Sequence, residues 1–277
     1  MAAIDRYAVV GNPVGHSLSP RIHASFAVQT GEALSYEAIE LPPDGFVDGI
    51  RDLQRQGFGG VNVTVPFKRE AWELCDSLSQ RAEQAGAVNT LSFDVNGRIA
   101  GDNTDGIGLV RDLKDNLGVE LESSNILVLG AGGAVRGVLG PLLERSPASL
   151  AIANRTPQKA AALARDFAGL GNVSALAFDA LAGQDFDLVI NATAAGLGNE
   201  VPAIPGSVIS AASVCYDMMY NIEKPTAFVA WALSHGAAGA FDGLGMLVEQ
   251  AAAAFAIWRG VNPDSENVIQ SLRAGAS

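Results

Sequence analysis

The sequence has few of the residues that build metal sites, disulfide frameworks and membrane spans. It contains two cysteines and three histidines without any histidine–cysteine cluster, which argues against a zinc site. Cys75 and Cys215 lie far apart with no C-x-x-C motif, as expected for reduced thiols in a cytoplasmic protein. No apolar run reaches the ~18 residues of a membrane-spanning helix, and the first residues carry no basic segment ahead of a long apolar stretch. The sequence therefore predicts neither a membrane span nor a signal peptide.

Positive charge is also scarce. The chain has 18 Lys and Arg against 30 Asp and Glu, for a net charge of −12, and it contains no basic run. Such a chain is a poor binder of nucleic acid and of anionic membranes. If its ligands are anions, local hydrogen-bond donors must overcome an unfavourable overall field.

Strands and helices are predicted to alternate along the chain. Apolar residues make up 48% of the chain, enough to build one large domain or two of ordinary size. The pattern predicts strands at 7–11, 34–41, 59–65, 125–130, 149–155, 186–193 and 212–218, and helices at 19–31, 44–57, 132–146, 157–169 and, as the final helix, about 244–259. A hairpin at 89–103 is expected to turn at Asn96–Gly97. Alternation of this kind predicts parallel βαβ units, with a domain junction near 101–108.

Proline and serine residues are predicted to start two of the helices. Ser19 is expected to be an N-cap with Pro20 at the first helical position, and Pro66 is expected to open the helix after the third strand. Lys68, one of only four lysines, would then lie in the first turn, where the helix dipole disfavours a cation. Taken alone, Lys68 could equally be an exposed lysine whose charge reaches solvent.

The segment ILVLGAGGAVRG, residues 126–137, places Gly130, Gly132 and Gly133 between a strand and a helix. Glycines there allow the backbone to approach a pyrophosphate, whose charge the helix N-terminus stabilises. Because position 135 is valine, the spacing departs from strict G-x-G-x-x-G, and an ordinary Gly-rich turn is the alternative interpretation.

The next strand ends in ANRT, residues 153–156, where NAD-binding folds usually carry Asp or Glu. Arg155 can instead make a bidentate contact with a 2′-phosphate, and Lys159 follows one turn later. The segment therefore predicts NADP rather than NAD. A solvent-facing arginine at a strand end would not explain the missing carboxylate.

Polar residues also gather in the first hundred positions. Ser17 and Ser19 in GNPVGHSLSPRIH supply two hydroxyls at a strand-to-helix loop, a neutral cradle for a small carboxylate, in addition to any capping by Ser19. Asn62 and Thr64 alternate with valines and are expected on one face of the third strand. Each of these signals is weak when taken alone, because such residues usually indicate turns.

In this order, the segments GNPVGHSLSP, NVTVPFK, GAVNT, GDNTDG, GAGGA, NRT, NAT, YDMMY and DGLGMLVEQAA resemble the shikimate dehydrogenase family closely. They run from residue 11 to about 252. The resemblance implies an α/β protein of two domains. One is an N-terminal substrate domain, 1–103, completed by C-terminal helices at 242–277, and the other is a Rossmann-like NADP-binding domain at 104–241.

The resemblance also implies an activity: the NADPH-dependent reduction of 3-dehydroshikimate to shikimate in aromatic biosynthesis. Its implied catalytic pair is Lys68 and Asp105. The implied substrate-binding residues are Ser17, Ser19, Thr64, Asn89, Tyr220 and Gln250. The implied cofactor-binding residues are Gly130, Ala131, Gly132, Gly133, Ala134, Asn154, Arg155, Thr156, Lys159, Met218 and Gly243. Members of the family commonly have a second arginine where this chain has Lys159, so the resemblance implies a somewhat softer preference for NADP.

Two other functions are compatible with the same fold. One is a quinate/shikimate dehydrogenase that uses NAD, against which Ser17, Ser19 and the NRT segment argue. The other is a ligand-binding regulator that has lost catalysis, against which the presence of both Lys68 and Asp105 argues. The expected partner is the small-molecule substrate alone, with a monomeric or homodimeric enzyme and no metal.

Overall fold

The computed structural model describes residues 4–193, 195, 198 and 200–275. The chain divides into two compact units. The first comprises Met1–Gly108 and Leu247–Ser271, and the second comprises Leu109–Met246 and Leu272–Ser277. The predicted boundaries at 103 and 242 stay predictions.

The first unit is built on a six-stranded mixed sheet. Its strands are β1 (Asp5–Gly11), β2 (Leu34–Glu40), β3 (Phe58–Val63), β4 (Ser77–Leu78), β5 (Thr90–Phe93) and β6 (Ile99–Asp102), in the order β2-β1-β3-β5-β6-β4. Strands β1, β2 and β3 are parallel, and β5 runs antiparallel to both β3 and β6. The helices in this part of the chain are α1 (Ser19–Thr30), α2 (Phe46–Arg55), α3 (Lys68–Leu74) and α4 (Gln80–Ala85).

One face of this sheet buries a core between the strands and α2 and α3. Alternate strand residues such as Val61 and Val63 pack there with Phe46, Ile50 and Phe67. Burial of apolar side chains at this period of two is what the sequence pattern predicts for half-buried strands. The packing fixes the carboxyl ends of β1 and β3 side by side, with Thr64 N donating to Val10 O at 2.9 Å.

The second unit is a doubly wound parallel sheet. Its strands are β7 (Asn125–Leu129), β8 (Ser149–Ala153), β9 (Val173–Leu176), β10 (Leu188–Asn191), β11 (Val214–Asp217) and β12 (Gly239–Asp242), in the order β12-β11-β10-β7-β8-β9. All of these pairings are parallel. The helices are α5 (Asp105–Arg111), followed by a π-helical turn at Asp112–Asn116, then α6 (Gly133–Leu143), α7 (Pro157–Phe167) and α8 (Ala227–Ser234), with α5 beginning in the first unit.

Both faces of this second sheet are buried. Ile126 and Val128 of β7 pack into one core with α6 and α7, whereas Leu127 and Leu129 pack into another core with α8. Strands buried on both faces read as continuous apolar runs, which is why NILVL stands out in the sequence. This two-layered covering is typical of dinucleotide-binding folds.

The last part of the chain forms α9 (Leu244–Arg259) and α10 (Ser265–Ala274). From residue 247 onward α9 belongs to the first unit, where Trp258 Nε1 donates to Leu91 O at 3.1 Å and its ring stacks on Tyr7. The predicted helix at 244–259 is confirmed, but it is not the final helix. Only two buried apolar residues, Val268 and Leu272, mark α10 in the sequence.

Two predicted helix starts are wrong. Leu18, not Ser19, is the N-cap of α1, and Ser19 is the first helical residue because Ser17 Oγ accepts the Ser19 N–H at 3.2 Å. Pro66 does not open α3. Residues 65–67 form a turn closed by Phe67 N donating to Thr64 O at 3.0 Å, and the helix starts at Lys68. Strand β3 correspondingly ends at Val63, so Thr64 follows the strand rather than belonging to it.

Candidate active site

Lys68 and Asp105 form an ion pair in the first unit. Lys68 is the first residue of α3 and Asp105 is the first residue of α5. Lys68 Nζ donates to Asp105 Oδ2 at 2.6 Å, with the Lys68 side chain 24% exposed and that of Asp105 9% exposed. The pair is thus partly shielded from water yet reachable, as expected of groups that exchange a proton with a ligand.

Asn89 orients the carboxylate of this pair. Its Nδ2 donates to Asp105 Oδ1 at 2.8 Å, and its Oδ1 accepts the Thr104 N–H at 2.8 Å. Asn89 immediately precedes β5 and is nearly fully buried. Because Asn89 holds Oδ1 of Asp105, the other oxygen is left to Lys68. The structure therefore gives Asn89 an orienting contact, and its predicted contact with substrate stays a prediction.

Gln250 of α9 reaches the same cluster. Its Oε1 accepts from Asn89 Nδ2 at 3.3 Å and from Thr104 Oγ1 at 3.5 Å. Its own Nε2 donates to Leu247 O at 2.8 Å. Within the first unit, Gln250 therefore contacts Asn89, a residue of the first hundred positions. Thr104, buried within GDNTDG, belongs to the cluster and was missed, although its place beside Asp105 could have indicated it.

The serine loop lies between β1 and α1. Ser17 Oγ donates to Ser19 Oγ at 3.1 Å while accepting the Ser19 N–H. Ser17 is half-buried and Ser19 buried. Thr64 lies in the neighbouring loop after β3. The two loops are connected by a hydrogen bond from Asn12 N to Val65 O at 3.0 Å. The two hydroxyls are therefore adjacent, as a cradle for a carboxylate requires.

A second group of polar side chains was not predicted. Tyr36 of β2 donates to Asn62 Oδ1 at 2.7 Å, and Asn62 Nδ2 donates to Thr90 Oγ1 at 3.1 Å. Thr90 Oγ1 in turn donates to Asn89 Oδ1 at 2.9 Å. The sequence offered Asn62 as a polar residue among valines, but nothing in it indicated that Tyr36 would be its partner.

The Gly-rich loop of the second unit joins β7 to α6. Gly130 has φ +114, and a Cβ there would lie 2.9 Å from Ala192 O, so only glycine fits. The backbone at Gly132 and Gly133 faces open space, and no side chain caps the N-terminus of α6. Free N–H groups at a helix N-terminus beside open space are what a pyrophosphate needs, so the loop with Ala131 and Ala134 fits a dinucleotide.

Arg155 follows β8, the neighbour of β7. Both Arg155 and Lys159 are exposed, and the structure gives neither an ion pair with any described residue. Asn154 Nδ2 donates to Thr156 O at 3.0 Å, which shapes the turn before α7. The two cations are thus available to a phosphate at this strand end.

Three further predicted residues lie at the carboxyl ends of β11 and β12. Met218 and Tyr220 follow β11, and Gly243 follows β12, with Gly243 N donating to Met219 O at 2.9 Å. Burial raises the pKa of the half-buried Tyr220 above its usual value, with the coulombic effect of Asp242 adding to the rise. Tyr220 belongs to the second unit, and its predicted contact with substrate stays a prediction.

The described part of the chain offers no metal site and no membrane helix. No group of three or more His, Cys, Asp or Glu residues suited to holding a metal ion occurs among those residues. None of their helices is long and apolar enough to cross a bilayer.

Comparisons with known proteins match the whole length of this arrangement. Residues 9–91 match the profile of the shikimate dehydrogenase substrate binding domain, residues 112–198 that of shikimate / quinate 5-dehydrogenase, and residues 243–273 that of the shikimate 5′-dehydrogenase C-terminal domain. The shikimate dehydrogenase (NADP(+)) of Thioalkalivibrio sulfidiphilus is 57% identical over 270 residues, covering 98% of each chain. The chain belongs to the shikimate dehydrogenase family.

Solved structures agree with this membership. An Ael1 enzyme from Pseudomonas putida is 45% identical with a TM-score of 0.92, covering 99% of this chain and 100% of its own. The shikimate 5-dehydrogenase of Thermus thermophilus, solved in complex with NADP(H) and shikimate, is 35% identical with a TM-score of 0.86, covering 98% of this chain and 99% of its own. The predicted fold of a shikimate dehydrogenase, with a substrate domain and a Rossmann-like domain, is thereby confirmed.

Proposed function

We propose that the chain catalyses the reversible reduction of 3-dehydroshikimate to shikimate with NADPH, a step of aromatic amino acid biosynthesis. The observation that carries this proposal is the Lys68–Asp105 pair at 2.6 Å, held by Asn89 in the unit that matches the family's substrate-binding domain. NADP is the cofactor of the family's close relatives, and the Gly-rich loop fits a dinucleotide.

Lys68 and Asp105 carry out the proton transfer of the reaction. When bound, the cofactor supplies the hydride that the carbonyl carbon receives. Lys68 donates a proton to the carbonyl oxygen as the general acid of the reaction. Asp105 orients the lysine and offers an acceptor for the substrate hydroxyl. In the reverse direction the same amine takes the proton back.

The remaining residues bind and orient the two ligands. Ser17 and Ser19 hold the carboxylate of the substrate, and Thr64, Asn89, Tyr220 and Gln250 contact its ring hydroxyls. Backbone N–H groups from Gly130 to Ala134 hold the pyrophosphate, with Met218 and Gly243 beside the nicotinamide. Arg155 and Lys159, with Asn154 and Thr156 shaping the turn, hold the 2′-phosphate through charge-assisted contacts.

A turnover assay with four substrate pairs tests this function. NADP reduction is followed by absorbance with shikimate and with quinate, and NAD reduction with the same two alcohols. We expect the shikimate–NADP pair to have the highest kcat/KM. A higher kcat/KM for quinate with NAD would assign the chain to that activity, and tight shikimate binding without turnover of any pair would make it a binding protein.

We also propose a cytoplasmic enzyme that acts as a monomer or homodimer without nucleic acid. The support for the location is that Cys75 and Cys215 are both free thiols, as is usual in a reducing compartment. The net charge of −12 disfavours nucleic acid. Fractionation of cells tests the location, and sedimentation of the native enzyme tests the oligomeric state.

A further inference from the structure

The buried carboxylate of Asp217 accepts hydrogen bonds from residues at the carboxyl ends of the strands of the second unit's sheet. Asp217 ends β11 and is 1% exposed. Its Oδ1 accepts from Asn191 Nδ2 at 3.0 Å and from Met219 N at 3.2 Å, and its Oδ2 accepts from Thr226 Oγ1 at 2.6 Å. No described cation pairs with it, so neutral donors alone satisfy this carboxylate.

The three donors belong to two connections, the one that follows β10 and the one from β11 to α8. Asn191 ends β10, and its own Oδ1 accepts from Thr193 Oγ1 at 2.8 Å, which holds Thr193 close to the end of that strand. Met219 lies in the loop after β11. Thr226 is the N-cap of α8, accepting the Val229 N–H at 3.2 Å. Asp217 therefore links the last residue of β10 to both ends of the connection from β11 to α8.

These connections lie where a dinucleotide would bind. Ligands of open parallel sheets bind outside the carboxyl ends of the strands. Strand β10 neighbours β7, and the loop after it touches the Gly-rich loop at the close approach of Gly130 to Ala192. Arg155 follows β8, on the other side of β7, so the phosphate-bearing adenosine half of NADP belongs on that side. The nicotinamide half then belongs to the β10 and β11 side, where Asp217 acts.

The carboxylate is unfavourable for the fold by itself. Burial raises the pKa of Asp217 above its usual range, with the coulombic effect of Asp242 adding to the rise and the three donors opposing it. Because the pKa is higher in the folded state, the stability that a protonated Asp217 provides is lost as pH rises towards neutrality. A buried carboxylate that lowers stability and also orders residues beside a ligand-binding edge is typical of a functional position.

We propose that Asp217 is a positioning residue for the cofactor: it holds the residues directly after β10 and β11 in the arrangement that binds the nicotinamide half of NADP, without contacting the reacting atoms. The inference rests on the proposed function, whose cofactor it concerns.

The experiment compares Asp217→Ala with Asp217→Asn, Arg155→Ala and Ser213→Ala. Ser213 immediately precedes β11 and is buried, and its Oγ donates to Phe186 O at 2.8 Å, so its variant perturbs the opposite end of the same strand. Each protein is assayed for KM with NADP and with NAD, for direct NADPH binding by fluorescence titration, and for inhibition by adenosine 2′,5′-bisphosphate, which lacks the nicotinamide half.

We expect Asp217→Ala to raise both KM values about tenfold, since the three hydrogen bonds that the carboxylate accepts are lost. Inhibition by adenosine 2′,5′-bisphosphate should stay within about twofold of wild type. Arg155→Ala should weaken inhibition by adenosine 2′,5′-bisphosphate and raise the KM for NADP, with little change in the KM for NAD. Ser213→Ala should leave all of these constants unchanged. Asp217→Asn should recover most of the affinity, because its Oδ1 keeps the bonds from Asn191 and Met219 while its amide faces the Thr226 hydroxyl.

Two results would overturn the inference. Wild-type KM values in folded Asp217→Ala would do so, as would a parallel loss of nicotinamide-containing and nicotinamide-free ligands, which indicates a general disturbance of the unit. If Asp217→Ala does not fold, Asn191→Ala removes the same link from the other side and must show the same selective loss. Should wild type lack turnover, the proposed function fails, and the NADPH titration still decides the role of Asp217.

Discussion

Asp105 keeps one carboxylate oxygen for Lys68 because Asn89 holds the other. Nδ2 of Asn89 lies 2.8 Å from Oδ1 of Asp105, and Nζ of Lys68 lies 2.6 Å from Oδ2. A fixed donor-acceptor geometry of this kind supplies in advance part of the ordering that a proton transfer needs. At the scale of single side chains, catalysis therefore depends on a pair and on the amide that orients it.

Lys68→Ala removes the proton donor. Turnover should fall by roughly 10²-fold or more, the usual scale for losing a general acid or base, with the KM for shikimate changing less. Steady-state kinetics with shikimate and NADP measures the change, and Lys114→Ala, an exposed lysine of the second unit, is the matched control. Turnover close to wild type in Lys68→Ala would remove Lys68 from the mechanism.

Arg155→Ala removes the cation at the end of β8. The KM for NADP should rise by a factor equivalent to about 1.5–3 kcal/mol, the range for a hydrogen bond to a charged group, while the KM for NAD changes little. The ratio of the two KM values is the measurement. Equal increases for both cofactors would show that Arg155 does not bind the 2′-phosphate.

His23 is a fully buried histidine of α1. Its ring stacks on Tyr36 with centroids 4.0 Å apart, and neither ring nitrogen makes a hydrogen bond to a described residue. Burial lowers the pKa of His23 from 6.5 to about 3. Since the folded pKa is depressed, the neutral ring is stable above the unfolded pKa, and stability is lost as pH falls from 6.5 towards 3.

His23→Phe should therefore remove one proton-linked contribution to acid unfolding. The difference in unfolding free energy between wild type and variant should change by up to about 1.4 kcal/mol per pH unit below about pH 6.5 and stay constant above it. Urea titrations at several pH values measure it, with exposed His16→Gln as the control. A constant difference across the range would mean that His23 does not change its protonation on unfolding.

At the scale of elements, predictability followed the strength of the local pattern. The runs NILVL and SLAIA and the helix at 244–259 were predicted, because fully buried strands and long helices leave unbroken apolar patterns. The short strands β4 and β12 and the helices α4, α8 and α10 gave no comparable pattern and were not identified. They are held in place by tertiary packing, such as Phe228 of α8 in the second unit's core.

The same limit explains the helix starts and the polar clusters. Proline after an apolar run predicts a first helical position, but Phe67 packs into the core against Phe46 and delays α3 to Lys68. Lys68 and Asp105 were identifiable through motifs. Tyr36 and Asn62 contact each other across strands that are distant in sequence, so no local signal reveals them as partners.

The serine loop between β1 and α1 is the element that should bind the substrate carboxylate. Ser17→Ala removes one donor and leaves a carboxylate oxygen less satisfied, which should raise the KM for shikimate about tenfold. A shikimate analogue lacking the carboxylate should be insensitive to the change. Ser25→Ala is the control, since Ser25 lies half-buried on α1 and its Oγ donates to Arg21 O at 3.0 Å. Equal weakening of both ligands would show that Ser17 acts through the loop structure instead.

At the scale of the whole molecule, charge opposes both ligands. A net charge of −12 repels an anionic substrate and a cofactor with several phosphate charges. The field of exposed charges extends about 30 Å at 0.01 M salt and about 8 Å at 0.15 M. Salt therefore weakens the overall repulsion, but it also weakens the local attraction of Arg155 and Lys159 for a phosphate. The balance between overall repulsion and local attraction differs between the substrate and the cofactor. The salt dependence of each KM therefore tests whether charged or neutral groups bind that ligand.

For shikimate, the proposed cradle of Ser17 and Ser19 carries no net charge, and Lys68 is paired with Asp105. Only the overall repulsion should then respond to salt, so the KM for shikimate should fall a few-fold between about 0.01 and 0.15 M, as about one kT of repulsion is screened. The KM for NADP should change less in wild type, because two opposing effects are screened together, and should fall with salt in Arg155→Ala. Steady-state kinetics at several salt concentrations measures these slopes. A KM for shikimate that rises with salt would show that an unpaired cation, rather than directed hydroxyl donors, binds the carboxylate.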